Sequence, residues 1–280
     1  MTGGLFLDAI TTGSLFFIVT LGLLVIFGMM RIINFAYGAF VTIGAYSSVI
    51  TTSYSLSPLW AFALAPLLAA ALAMLIEPTV LRRLYHRPID TILATWGLSL
   101  VITQLISLYF GRGTQLVNTV DFGTVSVLGT IYPVYRLAMI PLAVLLGFAL
   151  ILILNHTRLG LIGRAVIMDE NLAQSLGVNI RLVRFSTFTL GSAIGGFAGA
   201  LLAPIASVDP NLGVPWLLAA FMIALLVGVS TSALAVACLF LGLAQVVVGD
   251  VLNATMATLA VPVFVVLILR FRPQGFLRTS

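Results

Sequence analysis

The residues able to do chemistry are few, and what is missing decides as much as what is present. All 13 basic residues are arginine. Without lysine the chain has neither the phosphate-reaching residue of a Walker loop nor a Schiff-base amine, so it is not expected to hydrolyse ATP itself. The single cysteine, Cys238, sits in an apolar run with no partner for an intrachain disulfide and does not report a redox compartment. His86 and His156 stand apart from each other and from any carboxylate cluster, so no metal site is expected. Glu77 and Asp250 are the acidic residues nearest to membrane depth, where a carboxylate is costly and by default functional. Glu77 precedes Pro78 and Arg82-Arg83, which predicts an interfacial position with an arginine partner; Asp250 falls at a span boundary. Neither the mid-span carboxylates of an ion-coupled transporter nor the converging His, Asp and Glu of a membrane enzyme emerge. The catalytic set is empty.

The most informative hydrophilic stretch is Gly160–Arg184, GLIGRAVIMDENLAQSLGVNIRLVR. It predicts a short helix from about Arg164 to Leu176, with Met168, Leu172 and Leu176 spaced to share one face. Asp169 and Glu170 punctuate its polar side, and Gly177 supplies a left-handed stop. Such a helix is marginal alone in water. Its apolar stripe fits either a groove on a partner or the lipid headgroup layer, and physics alone leaves both open.

The elements that position these residues are membrane helices. Of 280 residues 61% are hydrophobic and 8% charged, against roughly 25% charged in soluble domains. The bilayer must be the solvent. Crossing a hydrocarbon core of about 30 Å takes about 20 apolar residues. Segments 9–30, 58–80, 91–110, 137–154, 185–206, 214–229, 232–249 and 254–270 meet or nearly meet that test. The stretch 32–50, rich in small residues, is either a full span or a broken, re-entrant one. The expectation is one all-α, polytopic transmembrane bundle over residues 1–280, with about eight or nine spans. Segment 9–30 is too long for a signal-peptide core and lacks a basic leader, so it is expected to remain as a span.

Ten of 13 arginines fall at 81–90, 155–184 and the tail after 269, which predicts cytoplasmic placement of those regions and of the C-terminus. The N-terminal side depends on whether 32–50 crosses. The net charge of +5 is thus a topology signal and not a nucleic-acid footprint. In the long outer loop 111–136, partial alternation over Phe122–Leu128 points to either a short hairpin or an ordinary connection. Gly191, Gly195 and Gly199 form a smooth stripe beside Ser192, Gly196 and Ala200, suited to close helix packing in lipid. Asn34, Gly38, Gly44 and Tyr46 are candidates for a solute path, since broken helices expose backbone groups only inside protein or in a wet cavity. Thr103 and Gln104 could bond between helices or touch solute.

Gly163-Arg164-Ala165, Asp169, Ala173 and Gly177-Val178 resemble the cytoplasmic coupling loop of ABC-importer permeases. In detail the chain resembles permease subunits of high-affinity branched-chain amino-acid importers and their urea/short-chain-amide relatives. Ile33-Asn34-Phe35-Ala36 with Gly38 and Gly44-Ala45-Tyr46, Ala94-Thr95-Trp96-Gly97-Leu98-Ser99-Leu100 with Phe110-Gly111, and Arg272-Pro273-Gln274-Gly275-Phe276 carry the likeness in order along the chain. Two positions depart from the family's usual pattern: Tyr37, where histidine is usual, and the glycine-poor Val227-Gly228-Val229-Ser230-Thr231. The resemblance implies ATPase coupling through Gly163, Arg164, Ala165, Asp169, Glu170, Ala173 and Gly177, and adds Thr95 and Gln104 to the solute-path candidates. It further implies separate ATPase subunits, a homologous permease or second copy, and a soluble solute-binding protein, in a bacterial-type inner membrane. No cofactor is then bound by this chain, and ATP is consumed by its partners. Branched-chain amino acids are the implied cargo, and Asp209-Pro210-Asn211-Leu212-Gly213 is similar to the urea/amide branch.

Overall fold

The computed structural model describes residues 2–30, 33–85, 87–118, 122–127, 129–228 and 230–271. The closing Arg272–Phe276 motif, Arg31 and His86 lie outside them. The described chain runs α1 (Thr2–Met30), α2 (Tyr37–Ser53), α3 (Leu59–Thr79), a 3₁₀ turn (Leu81–Arg83), α4 (Pro88–Phe110), β1 (Thr124–Val127), β2 (Thr130–Pro133) and α5 (Val134–His156). It continues through α6 (Arg158–Met168), α7 (Glu170–Ser175), α8 (Ile180–Leu202), α9 (Gly213–Val227), α10 (Thr231–Val251) and α11 (Ala254–Phe271). Seven described helices, α1, α3, α4, α5, α8, α10 and α11, are long and apolar enough to cross a membrane. The expected eight or nine spans included the two shorter ones, α2 with 17 residues and α9 with 15. At 1.5 Å per residue α9 extends only about 22 Å, short of the hydrocarbon thickness.

The chain divides into two compact units. One comprises the described residues within Leu21–Thr119 and Ala149–Leu217. Its centre is α8, which receives α2 and α3 in backbone contact. A methyl added at Gly195 would sit 2.8 Å from the Tyr37 ring, and one at Gly191 would sit 2.8 Å from the Gly22 carbonyl oxygen. Gly199 lies against the Val41 carbonyl, and Gly44 against the Gly196 carbonyl, with no room for side chains. The neighbouring stripe faces α3, where a methyl at Gly196 would meet the Ala65 carbonyl oxygen at 2.7 Å. Edge-on aromatic pairs, Phe40–Phe188 at 5.8 Å and Phe62–Phe197 at 6.2 Å, close the flanks. Tyr37 is fully buried in a slot made by Gly22 and Gly195, so the large ring at this position is matched by two missing side chains.

The described part of 32–50 lies against α4. Phe35 N–H donates to Thr95 Oγ1 at 3.2 Å, two turns into α4, and Asn118 N–H donates to Thr52 Oγ1 at 2.9 Å, beyond the far end of α4. The segment therefore runs alongside α4 instead of turning back, although its helix begins only at Tyr37. The backbone before it turns on Asn34, whose Oδ1 accepts from Ala36 N–H at 3.0 Å. Helix α9 starts in buried surroundings, where an unpaired N–H is costly. Gly213 N–H donates to Thr42 Oγ1 at 3.0 Å, and that hydroxyl donates to the Gly38 carbonyl at 3.1 Å.

The other unit comprises the described residues within Met1–Thr20, Val120–Phe148 and Leu218–Ser280. It contains the hairpin, with Thr124 opposite Pro133 and Val127 opposite Thr130. Gly129 turns it with φ +77°. Asp8 Oδ1 accepts from Tyr132 Oη at 2.8 Å and Arg136 Nη1 at 3.1 Å, which fixes the first turns of α1 to the hairpin end. Helix α10 lies on α1 where Gly13 and Gly242 meet; a methyl at Gly13 would fall 3.0 Å from the Cys238 carbonyl oxygen. Helix α11 packs back on α10 through Phe240 and Phe264, 6.2 Å apart.

Close backbone packing makes a direct prediction. Gly195→Leu should lower stability by roughly 1–3 kcal/mol through overpacking, read as a lower thermal midpoint in detergent. Gly97→Leu, at a position with open space around it, should stay within about 0.5 kcal/mol.

Candidate functional site

In the larger unit a cluster of ionisable side chains lies where α3 ends and α8 begins. Glu77, on the last turn of α3, is only 3% exposed, and a buried carboxylate needs a donor. The expected arginine is not that donor: among the described residues Glu77 makes no ion pair. The 3₁₀ turn instead brings Tyr85 back beneath the helix end, and its hydroxyl donates to Glu77 Oε1 at 2.7 Å. Arg82 and Arg83 remain exposed. The guanidinium of Arg184 lies 4.6 Å from the centre of the Tyr85 ring, a cation–π distance. Its Nη2 donates to Glu170 Oε2 at 2.6 Å. Burial is the main force raising the Tyr85 hydroxyl pKa above the usual tyrosine range; Glu77 adds to it, while Arg184 and Arg82 oppose it. The group stays protonated and keeps donating. Glu77, Tyr85, Arg184 and Glu170 thus tie α3 to α8 and α7.

The helix expected over Arg164–Leu176 is two helices. Asp169 adopts an extended conformation, φ −154° and ψ 106°, and its carboxylate accepts from Leu172 N–H at 3.0 Å. An aspartate that caps the next helix cannot also continue the previous one. Gly177, with φ +86°, provides the stop. Val166, Ala173 and Ile180 form a small buried core that roots the pair on the first turn of α8. Met168, Leu172 and Leu176 are 86%, 58% and 76% exposed. Ala165 is exposed, while Gly163 packs on the Met29 thioether. Arg164 Nη1 donates to the Leu154 carbonyl at 2.8 Å and to Asn155 Oδ1 at 3.2 Å, holding the corner between α5 and α6.

Gly38 meets Gly213, and Gly44 meets Gly196, in filled contacts. Thr95 accepts from Phe35 N–H, and Tyr46 stacks on Phe110 with ring centres 4.9 Å apart. The Asn34 Nδ2 and Tyr46 hydroxyl groups are buried without hydrogen-bond partners in the described structure. Gln104 lines a cavity of about 630 Å³ with Thr103, Ser107, Arg112 and Asn211. Among the described residues no group of three or more His, Cys, Asp or Glu could hold a metal ion. Sequence reading missed Tyr85 and Arg184; the only signal was an aromatic residue within an arginine-rich loop.

Residues 5–270 match the family described as branched-chain amino acid transport system / permease component. The chain belongs to this family. It is 27% identical over 287 residues to the high-affinity branched-chain amino acid transport system permease protein BraD of Pseudomonas aeruginosa, covering 96% of this chain and 94% of that protein. It is 24% identical over 295 residues to LivH of Escherichia coli K12, a permease protein of the same description, covering 96% and 93%. Among solved structures, PsaBC from Streptococcus pneumoniae in complex with Fab aligns over 94% of this chain and 88% of that one, at 13% identity and TM-score 0.49. With seven apolar helices of spanning length, this permease is a multi-pass membrane protein.

Tyr85→Phe should leave Glu77 without its donor and destabilise the permease by roughly 1–3 kcal/mol. A raised tyrosine pKa means the contact contributes fully below the ordinary value of about 10 and fades only as pH climbs beyond it. The loss in Tyr85→Phe should therefore be constant between about pH 6 and pH 9, measured by thermal unfolding across that range.

Proposed function

We propose that this permease is the membrane-spanning subunit of an ATP-driven importer for branched-chain amino acids. A soluble binding protein delivers cargo from outside; a homologous permease or second copy completes the pathway; separate ATPase subunits drive it. The arginine-rich end, with α6, α7 and the C-terminus, faces the cytoplasm of a bacterial-type inner membrane. With 32–50 taken as a full crossing, the start of α1 lies outside with the hairpin.

One observation carries this reading. The α6–α7 pair packs on α8 through Val166, Ala173 and Ile180, while Met168, Leu172 and Leu176 are exposed. A surface of three large apolar side chains on a supported knob suits the groove of a partner protein. Behind the knob, Glu170–Arg184–Tyr85–Glu77 gives a continuous route to α3, and α8 leads directly to the glycine contacts with α2. Docking on one side can therefore move pathway helices on the other. Arg164 and Asp169 act within this scheme by setting the α5–α6 corner and the α6–α7 break.

Co-expressed ATPase subunits should co-purify with this chain, and Leu172→Asp should weaken that association by about 30-fold, as at an interface hot spot, with the thermal midpoint unchanged. Retention of full association would refute docking through this face. Replacing Arg164 and Asp169 together should leave ATP hydrolysis running while uptake falls, measured in proteoliposomes. A leucine-against-urea binding assay on the cognate binding protein decides the cargo.

A further inference from the structure

A second cavity, of about 520 Å³ and with a mostly polar wall, lies beside the Glu77–Glu170 tie. Both carboxylates that line it are engaged, Glu77 by the Tyr85 hydroxyl and Glu170 by Arg184. Two further guanidiniums reach it from different elements: Arg82 from the 3₁₀ turn after α3, and Arg181 from the first turn of α8. Neither makes an ion pair or a hydrogen bond among the described residues. Asn171 and Gln174 of α7 add amide donors to the same wall. Two arginine forks converging on a polar cavity form an acceptor for a group with several anionic oxygens, and phosphate is the best match.

Depth selects the source of that phosphate. The cavity walls are the ends of two membrane spans, α3 and α8, and headgroup phosphates lie at the level where spans end. On the same two spans, Leu75 of α3 and Leu182 of α8 are 65% and 62% exposed, a lipid-facing surface for acyl chains. Basic cavities between spans on the cytoplasmic side are a recurring way to hold anionic lipids.

We propose that this cavity seats the phosphate of an anionic phospholipid, with Arg82 and Arg181 as its two charged contacts. The bound headgroup bridges α3, α8 and α7, so membrane composition would set how firmly the α6–α7 knob is held. This requires only that the two span ends lie at the membrane surface and not that ATPases dock, so failure of co-purification leaves it standing.

The test uses the full-length permease in nanodiscs of phosphatidylcholine, with or without phosphatidylglycerol, read by thermal midpoint and by native mass spectrometry of retained lipid. Phosphatidylglycerol should raise the midpoint and survive delipidation. The effective affinity should fall about fivefold for each of Arg82→Gln and Arg181→Gln. Arg83→Gln, which removes the same charge from the same turn without lining the cavity, should change little; an equal loss there would mean diffuse surface attraction and overturn the site. Stabilisation by inorganic phosphate in phosphatidylcholine discs, with none from phosphatidylglycerol, would overturn the lipid assignment. Retention that depends on a bound ATPase and not on lipid composition would assign the cavity to a protein partner and likewise overturn it. Wild-type protein with equal midpoints in both disc types would overturn it without recourse to any variant.

Discussion

In a hydrocarbon solvent one apolar side chain gains little by exchanging lipid for another, so a membrane bundle is held by how closely its backbones can approach. Here that closeness is concentrated on α8. Gly191, Gly195 and Gly199 receive α1 and α2 on one edge, and Gly196 receives α3 beside them. Since α2 is buried along nearly all its length, its height and rotation are set by these contacts and not by lipid. The deep start of α9 depends on the same arrangement, because Gly213 can bond Thr42 only where the Gly38 backbone lies against it.

The polar end follows a different logic. Glu77 is a buried carboxyl group held by one tyrosine hydroxyl, and Tyr85 is in turn positioned by Arg184. Removing any member strands another, which makes the group act together instead of as separate surface pairs. The exposed Arg87–Asp90 pair, at 3.5 Å and with both side chains open to solvent, belongs to the weaker class.

What could be read from the sequence was whatever depends on local pattern. Hydropathy located the long spans, glycine spacing located the packing stripes of α8, and the alternation over Phe122–Leu128 offered a hairpin as one of two readings. Gly177 ends α7 as a residue free to take positive φ should. Features set by distant contacts were not legible. The break at Asp169 reflects competition between capping and continuation that an apolar spacing of four residues does not register. The partner of Glu77 depends on how the turn at Leu81–Arg83 folds back. Where α9 starts depends on a backbone meeting of Gly213 with Gly38 of α2. Among the solute-path candidates, the small residues Gly38 and Gly44 mark close backbone approach.

Cys238 is fully buried on α10, in the helix face that meets Gly13. Together with the absence of lysine amines, this leaves the folded chain without an accessible thiol or a side-chain amine. A single cysteine introduced on any exposed surface would then be chemically unique, and spin or fluorescent labels could be placed without first stripping native nucleophiles from the protein.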